Sequence, residues 1–135
     1  MKISVETTIA ASIEKVWRAY TTAENIKQWN VAFDDWHTTT AKVDLRVGGA
    51  FSSRMEAKDG STGFDFAGVY TRIEEHELIE YSFGDRTAQV EFANSPNGVR
   101  VRVTFDREPT HSIEQQQQGW QAILNNFAQH VKAIG

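Results

Sequence analysis

Residues 112–135 read SIEQQQQGWQAILNNFAQHVKAIG. Within them Ile113, Gln116, Trp120, Ile123, Leu124, Phe127, Val131 and Ile134 recur at helical spacing. At 3.6 residues per turn they fall in one apolar stripe, the face an amphipathic helix buries. Ser112 with Gln115 three residues on fits a capping box, and Pro109 just upstream fits the boundary. A helix this long, carrying Trp120 and Phe127, needs a broad apolar surface to lie on. The rest of the chain has to supply that surface.

Working back from the helix, Val99, Val101, Val103 and Phe105 alternate with Arg100, Arg102 and Thr104. Ala88, Val90 and Phe92 alternate with Gln89 and Glu91, and Ile79, Tyr81 and Phe83 with Glu80 and Ser82. A two-residue period marks half-buried strands. Gly84-Asp85 and Ser95-Pro96-Asn97-Gly98 turn the chain between them. From Thr62 to Glu75 the pattern is mixed: Phe64, Phe66 and Tyr70 share one phase, Ala67, Val69 and Ile73 the other. A bulge near Gly63 or Gly68 would reconcile the two. Phe51, Ser53, Met55 and Ala57 form a further strand, closed by the Asp59-Gly60 hairpin signal, and Thr39, Ala41, Val43, Leu45 and Val47 another.

Upstream of these, residues 30–37 read as an aromatic-rich loop holding Phe33, Trp36 and His37 beside Asp34 and Asp35. Thr21 and Glu24 fit a capping box for a short helix through Ile26 to Trp29. Ser12 caps an earlier one, with Glu14 in its first turn and Val16, Trp17 and Tyr20 facing the core. Ile3, Val5, Thr7 and Ile9 alternate as the first strand. The expected architecture is α+β: a curved antiparallel sheet of about six to seven strands around a long C-terminal helix, with two short helices after the first strand.

Length allows one domain, residues 1–135. A hydrophobic share of 40% and a charged share of 24% are those of an ordinary globular chain, and no apolar run approaches a membrane span. Membrane insertion is therefore not expected. The amino terminus already alternates like a strand and lacks the apolar core of a signal peptide, so a cytoplasmic protein is expected. With no cysteine there is no disulfide, thiolate or cysteine-zinc chemistry. A net charge of −4 without a basic run argues against nucleic acid as a partner.

The order of these elements is similar to the helix-grip (START-like, SRPBCC) superfamily, and within it to the heat-shock-ATPase activator homologues. The resemblance rests on Val16-Trp17-Arg18-Ala19-Tyr20-Thr21, Ile26-Lys27-Gln28-Trp29, Val47-Gly48-Gly49-Ala50-Phe51, Gly68-Val69-Tyr70, Leu78-Ile79-Glu80-Tyr81-Ser82-Phe83 and Gly119-Trp120 with Leu124. Together these span nearly the whole chain. The superfamily includes lipid and hormone binders, polyketide cyclases and co-chaperone domains, so the resemblance implies a fold and a cavity rather than one activity.

No phosphate-binding glycine loop, dinucleotide fingerprint, zinc-helix histidine pair or Gly-x-Ser-x-Gly elbow is present, so no cofactor, metal or catalytic residue is assigned. Of the four histidines, His76, His111 and His130 read as surface residues. His37, beside two acids, fits a proton shuttle, a contribution to metal binding or a local hydrogen bond. By phase, Phe51, Met55, Tyr81, Phe83, Val90, Phe92, Val101, Val103, Trp120, Leu124 and Phe127 point between sheet and helix, as core or as cavity lining. Trp29, Phe33, Trp36 and His37 lie in the segment the family places over one end of such a cavity. Gln116 is the one polar member of the helix stripe, fit to orient a ligand or to reach water. Glu91, Arg100 and Arg102 face outward by phase.

Three functions follow as expectations. The first is binding of a small hydrophobic or aromatic molecule in the cavity, as carrier or sensor. The second is a cyclase- or dehydratase-like enzyme using His37 or Tyr81 in the same space. The third is a co-chaperone-like interaction domain, which requires an exposed apolar patch.

Overall fold

A computed structural model describes residues 2–134. The chain runs β1 (Lys2–Ile9), α1 (Ile13–Thr21), α2 (Ala23–Trp29), β2 (Trp36–Val43), β3 (Ala50–Ala57), β4 (Gly63–Glu74), β5 (Leu78–Phe83), β6 (Arg86–Ser95), β7 (Gly98–Asp106) and α3 (Ile113–Ala133). All seven strands form one antiparallel sheet in the order β1-β7-β6-β5-β4-β3-β2. Hairpins join β2 through β7 in succession. The chain's first strand pairs with its last because α1 and α2 carry the backbone from one sheet edge to the other.

The amphipathic stripe of α3 does what its spacing predicts. Leu124, Phe127, Ala128 and Val131 are buried, and Trp120 and Ile123 are half-buried against the same core. The capping box is complete: the Ser112 hydroxyl accepts from the Gln115 amide at 3.1 Å, and the Gln115 side chain accepts from the Ser112 amide at 3.1 Å. Losing such a cap costs about 1 kcal/mol.

The face beneath α3 is built by strict alternation. Val99, Val101, Val103 and Phe105 of β7 pair in register with Ile9, Thr7, Val5 and Ile3 of β1. On the other side Val101, Val103 and Phe105 meet Phe92, Val90 and Ala88 of β6. Outward residues pair as ions, Lys2 with Asp106 at 2.7 Å and Arg102 with Glu6 at 3.0 Å. Gly98 is required at the β6–β7 turn: its φ is +130°, and a Cβ there would stand 2.1 Å from the Ile9 carbonyl oxygen.

Four local expectations are corrected. The N-cap position of the second short helix is Thr22, not Thr21, and its side chain makes no capping bond; the Thr21 hydroxyl donates to the Trp17 carbonyl at 2.8 Å inside α1. Strand β2 begins at Trp36 and ends at Val43, so Trp36 and His37 belong to a strand while Leu45 and Val47 lie in an exposed loop. The irregularity in β4 falls between Tyr70 and Arg72, not near Gly63 or Gly68. One unpaired residue there, Thr71, lets Tyr70 and Ile73 both face inward although their spacing is odd. A second irregularity between Thr38 and Thr40 does the same in β2.

The histidines divide. His111 is exposed, whereas His76 packs edge-on against Trp17 with ring centroids 5.9 Å apart, and His130 meets the Asn25 amide oxygen at 2.7 Å. His76 also takes a left-handed φ of 66° at the β4–β5 turn, the one such non-glycine residue among those described.

Candidate functional site

Helix α3 lies on β1 and the neighbouring strands, and α2 lies on β2. Between α3 and the middle of the sheet the side chains do not meet completely. A partly enclosed cavity of about 90 Å³ remains. Phe51 and Ser53 of β3, Phe66 and Tyr70 of β4, and Ile79 and Tyr81 of β5 form its floor. Trp120, Ile123 and Leu124 of α3 form its roof, and Tyr20, Ile26, Trp29 and Asn30 close one side, with Val103 reaching in from β7.

Local sequence explains how these walls are held. Phe51 pairs across β3–β4 with Gly68, where a Cβ would stand 2.8 Å from the Phe51 ring. The missing side chain lets that ring lie over the sheet, 5.1 Å from Tyr70 and 5.0 Å from Tyr81 between centroids. Phe66 stands edge-on to Tyr81 and Trp120, each at 6.3 Å. Trp120 is braced from behind, stacked on Phe105 with centroids 4.0 Å apart. Trp29 is fixed by its indole N–H, which donates to the Ala19 carbonyl at 2.9 Å, and its ring lies 5.0 Å from Tyr20. Asn30 joins α2 to β2 and β3: its carbonyl accepts from the Thr38 hydroxyl at 2.7 Å, and its amide donates to the Ser53 hydroxyl oxygen at 3.2 Å.

No lining residue carries charge at neutral pH, and the polar side-chain groups of the lining residues are an amide, hydroxyls and indole N–H groups. Burial pushes the Tyr70 phenol up to about 12. Burial and then the neighbouring phenols push Tyr81 well above its ordinary value, and burial and then Tyr70 do the same to Tyr20. All three remain protonated hydrogen-bond donors across the physiological range. Among the described residues no group of carboxylates and imidazoles is arranged to hold a metal ion.

Of the residues singled out from sequence, the structure brings Trp29, Phe51, Tyr81, Val103, Trp120 and Leu124 to the cavity. Phe92 and Phe127 are buried beside it, against Tyr20 at 5.6 Å and 5.1 Å. Phe83 is buried 5.5 Å from Phe66 and 6.0 Å from Trp120. Met55 is buried further along β3, where it pairs with Thr38 and Phe64. Phe33 is 62% exposed, and Trp36 packs on Phe64 at 5.8 Å, away from the lining. His37 is exposed on β2 opposite Glu56 and reaches no lining residue. Gln116 does not line the cavity. Its amide donates to the Glu108 and His111 carbonyls at 3.0 and 2.9 Å, and its oxygen accepts from the Glu108 amide at 2.9 Å, clasping the β7–α3 connection onto the helix.

Sequence reasoning did not assign Tyr20, Ile26, Asn30, Ser53, Phe66, Tyr70, Ile79 and Ile123 to the site. Ser53 shares the phase of Phe51 and Met55, and Ile123 lies on the α3 stripe, so both carried a signal. Phe66 and Tyr70 were obscured by the irregularity at Thr71. Asn30 has no sequence signature, because its place comes from where α2 ends.

A curved antiparallel sheet closed around a C-terminal helix, with two short helices after the first strand and a hollow between, defines a helix-grip domain. Residues 10–132 match the family described as activator of Hsp90 ATPase homolog 1-like protein. The chain belongs to that family. It is similar to the AHSA1-like protein of Aeromonas hydrophila, solved by solution NMR, at 49% identity and a TM-score of 0.93 over 98% of this chain and 93% of that one. A protein of Cytophaga hutchinsonii is 43% identical with a TM-score of 0.84 over 97% of this chain and 92% of that one. A Chromobacterium violaceum protein shares the fold at 24% identity, with a TM-score of 0.85 and 96% of both chains covered. No curated protein matches the chain. Among the described residues no helix is long and apolar enough to cross a membrane.

Proposed function

We propose that the protein binds a compact apolar or aromatic molecule in the space between α3 and strands β3–β5. The observation that carries this reading is the cavity itself, walled by Phe51, Phe66, Trp29 and Trp120 and fringed by hydroxyl groups. Apolar walls with a few placed polar atoms are the usual composition of a small-molecule site. Its size narrows the occupant. At about 90 Å³ it is smaller than the ~150 Å³ hollow that takes benzene in an engineered core. A one-ring molecule therefore fits only if the walls give slightly, and the half-buried Trp120 and Ile123 of the roof are the side chains with room to move.

Binding is favoured over catalysis because the lining offers no base. Its ionisable groups are phenols held protonated, and a cyclase- or dehydratase-like reaction needs a group that takes up a proton near neutral pH. The co-chaperone-like reading has less support. The exposed large apolar side chains fall in two separate places, Phe33 and Phe64 with the β2 start, and Leu45, Val47 and Val69 at the opposite end of β2–β4. A single broad patch would serve a protein partner better.

A thermal-shift series with one-ring aromatics tests the proposal. A ligand at 100 times its dissociation constant stabilises the fold by about 2.7 kcal/mol, a shift of several degrees for a chain of this length. No stabilisation by any compound of one or two rings would remove the reading.

A further inference from the structure

Tyr70 and Tyr81 are 7% and 6% exposed, yet among the described residues neither hydroxyl has a hydrogen-bond partner. No side-chain nitrogen or oxygen among these residues is sealed from solvent-sized space without a partner. Each phenol oxygen therefore touches accessible space, and both tyrosines line the cavity. Tyr20 lines the same cavity from α1, close enough for its phenol to act on Tyr81 and to be acted on by Tyr70. The Ser53 hydroxyl oxygen already accepts from Asn30, which leaves its proton free to donate. The polar side of the hollow is thus an excess of O–H donors. Buried donors in native proteins are matched, by water or by a ligand.

We propose that the cavity selects an uncharged aryl carbonyl compound, its ring between Phe51, Phe66 and Trp120 and its oxygen accepting from Tyr70 and Tyr81. The inference rests on the cavity-binding reading above and names the ligand class for it. An anion or cation would lose hydration without gaining an opposite charge, because the lining has none. A pure hydrocarbon would leave the phenols unmatched. A carbonyl oxygen accepts two hydrogen bonds and offers no competing donor, which suits two phenols that stay protonated.

The test compares acetophenone with α-methylstyrene, which has the same outline with a methylene in place of the oxygen. Each is titrated into the intact protein by two-dimensional NMR. The ketone is expected to bind about tenfold more tightly, the worth of a net hydrogen bond to a buried neutral group. Tyr70→Phe and Tyr81→Phe should each reduce that preference, read as the ratio of the two affinities. The carbonyl stretching band of bound acetophenone should fall to lower frequency in the wild type and recover in either variant. The band is read on the wild-type protein, so it decides the matter even if a variant folds poorly. Equal affinity for the two compounds, or an unshifted band, overturns the carbonyl assignment while leaving cavity binding intact. Failure of both compounds to bind overturns both.

Discussion

The two halves of the sheet follow the same alternating pattern and end differently. Under α3, strands β1, β6 and β7 present mainly Ile and Val, and Ile9, Val90, Val99, Val101 and Phe105 are fully buried with Phe127 and Val131. Across the middle, β3, β4 and β5 present Phe51, Phe66, Tyr70 and Tyr81 with Ser53, and a hollow is left. Branched aliphatic side chains interlock at short range, so helix and sheet close to native density. Large flat rings stand further from the backbone, brace one another edge to face, and hold their neighbours apart. The difference teaches that inward phase alone does not make core. Residue shape and the reach of the helix decide whether an inward side chain fills space or frames it.

The largest expected effect comes from truncation on the packed side. Phe127→Ala should cost about 3–5 kcal/mol, whereas Phe66→Ala, at a side chain that already borders empty space, should cost about 2 kcal/mol or less. Urea denaturation of the pair measures the gap, and equal costs would erase the distinction. Enlargement should separate the halves in the opposite sense. Val131→Phe overpacks a site with no exposed surface and should destabilise by about 1–3 kcal/mol. Ile123→Phe grows into the cavity, so it should change stability by less than about 1 kcal/mol while abolishing ligand-induced thermal shifts.

Acid and alkali should act on different halves. Lys2 and then the Thr87 amide hold the Asp106 carboxyl at about 2, below its ordinary 3.8, which ties β1, β6 and β7 together. That stabilisation is complete above the ordinary value and is lost as pH falls through about 2. Asp106→Asn should flatten this part of the acid limb of stability. In the hollow half, burial raises Tyr70 from 10.0 to about 12, so its contribution is complete below pH 10.0 and is lost as pH rises through about 12. Tyr70→Phe should remove that share of the alkaline decline, the shares of Tyr20 and Tyr81 remaining, and leave the acid limb untouched. The smallest effect is at the helix itself: a Cβ at Gly119 meets nothing within 4 Å, so Gly119→Ala should stabilise by about 0.5–1 kcal/mol.

How much of this was legible in the sequence divides along the same line. Regular alternation in β1, β5, β6 and β7 and the stripe of α3 could be read directly, because each side chain's direction follows from position alone. The edge half could not. The unpaired Thr71 reverses phase within β4, and the break at Thr39 does so within β2, so a fixed two-residue period misassigns what lies beyond. Phe33, Trp36 and His37 were expected at a cavity mouth because the family resemblance places their segment over one end. A strand beginning at Trp36 turns His37 outward instead. Gln116 on an apolar stripe suggested a ligand contact, but the carbonyls of Glu108 and His111 satisfy it, and they come from a connection whose path no local pattern reveals. Asn30 and Ser53 became cavity residues only through the contact between α2 and β3.

The central claim is that the hollow half admits a small molecule and the packed half does not. Methyl-resolved NMR during titration with acetophenone tests it most directly. Saturable shifts confined to the methyls of Ile26, Ile79, Val103, Ile123 and Leu124, with those of Ile3, Val101 and Val131 unmoved, are predicted. Shifts that never saturate, or that appear equally beneath the packed part of α3, would contradict the account.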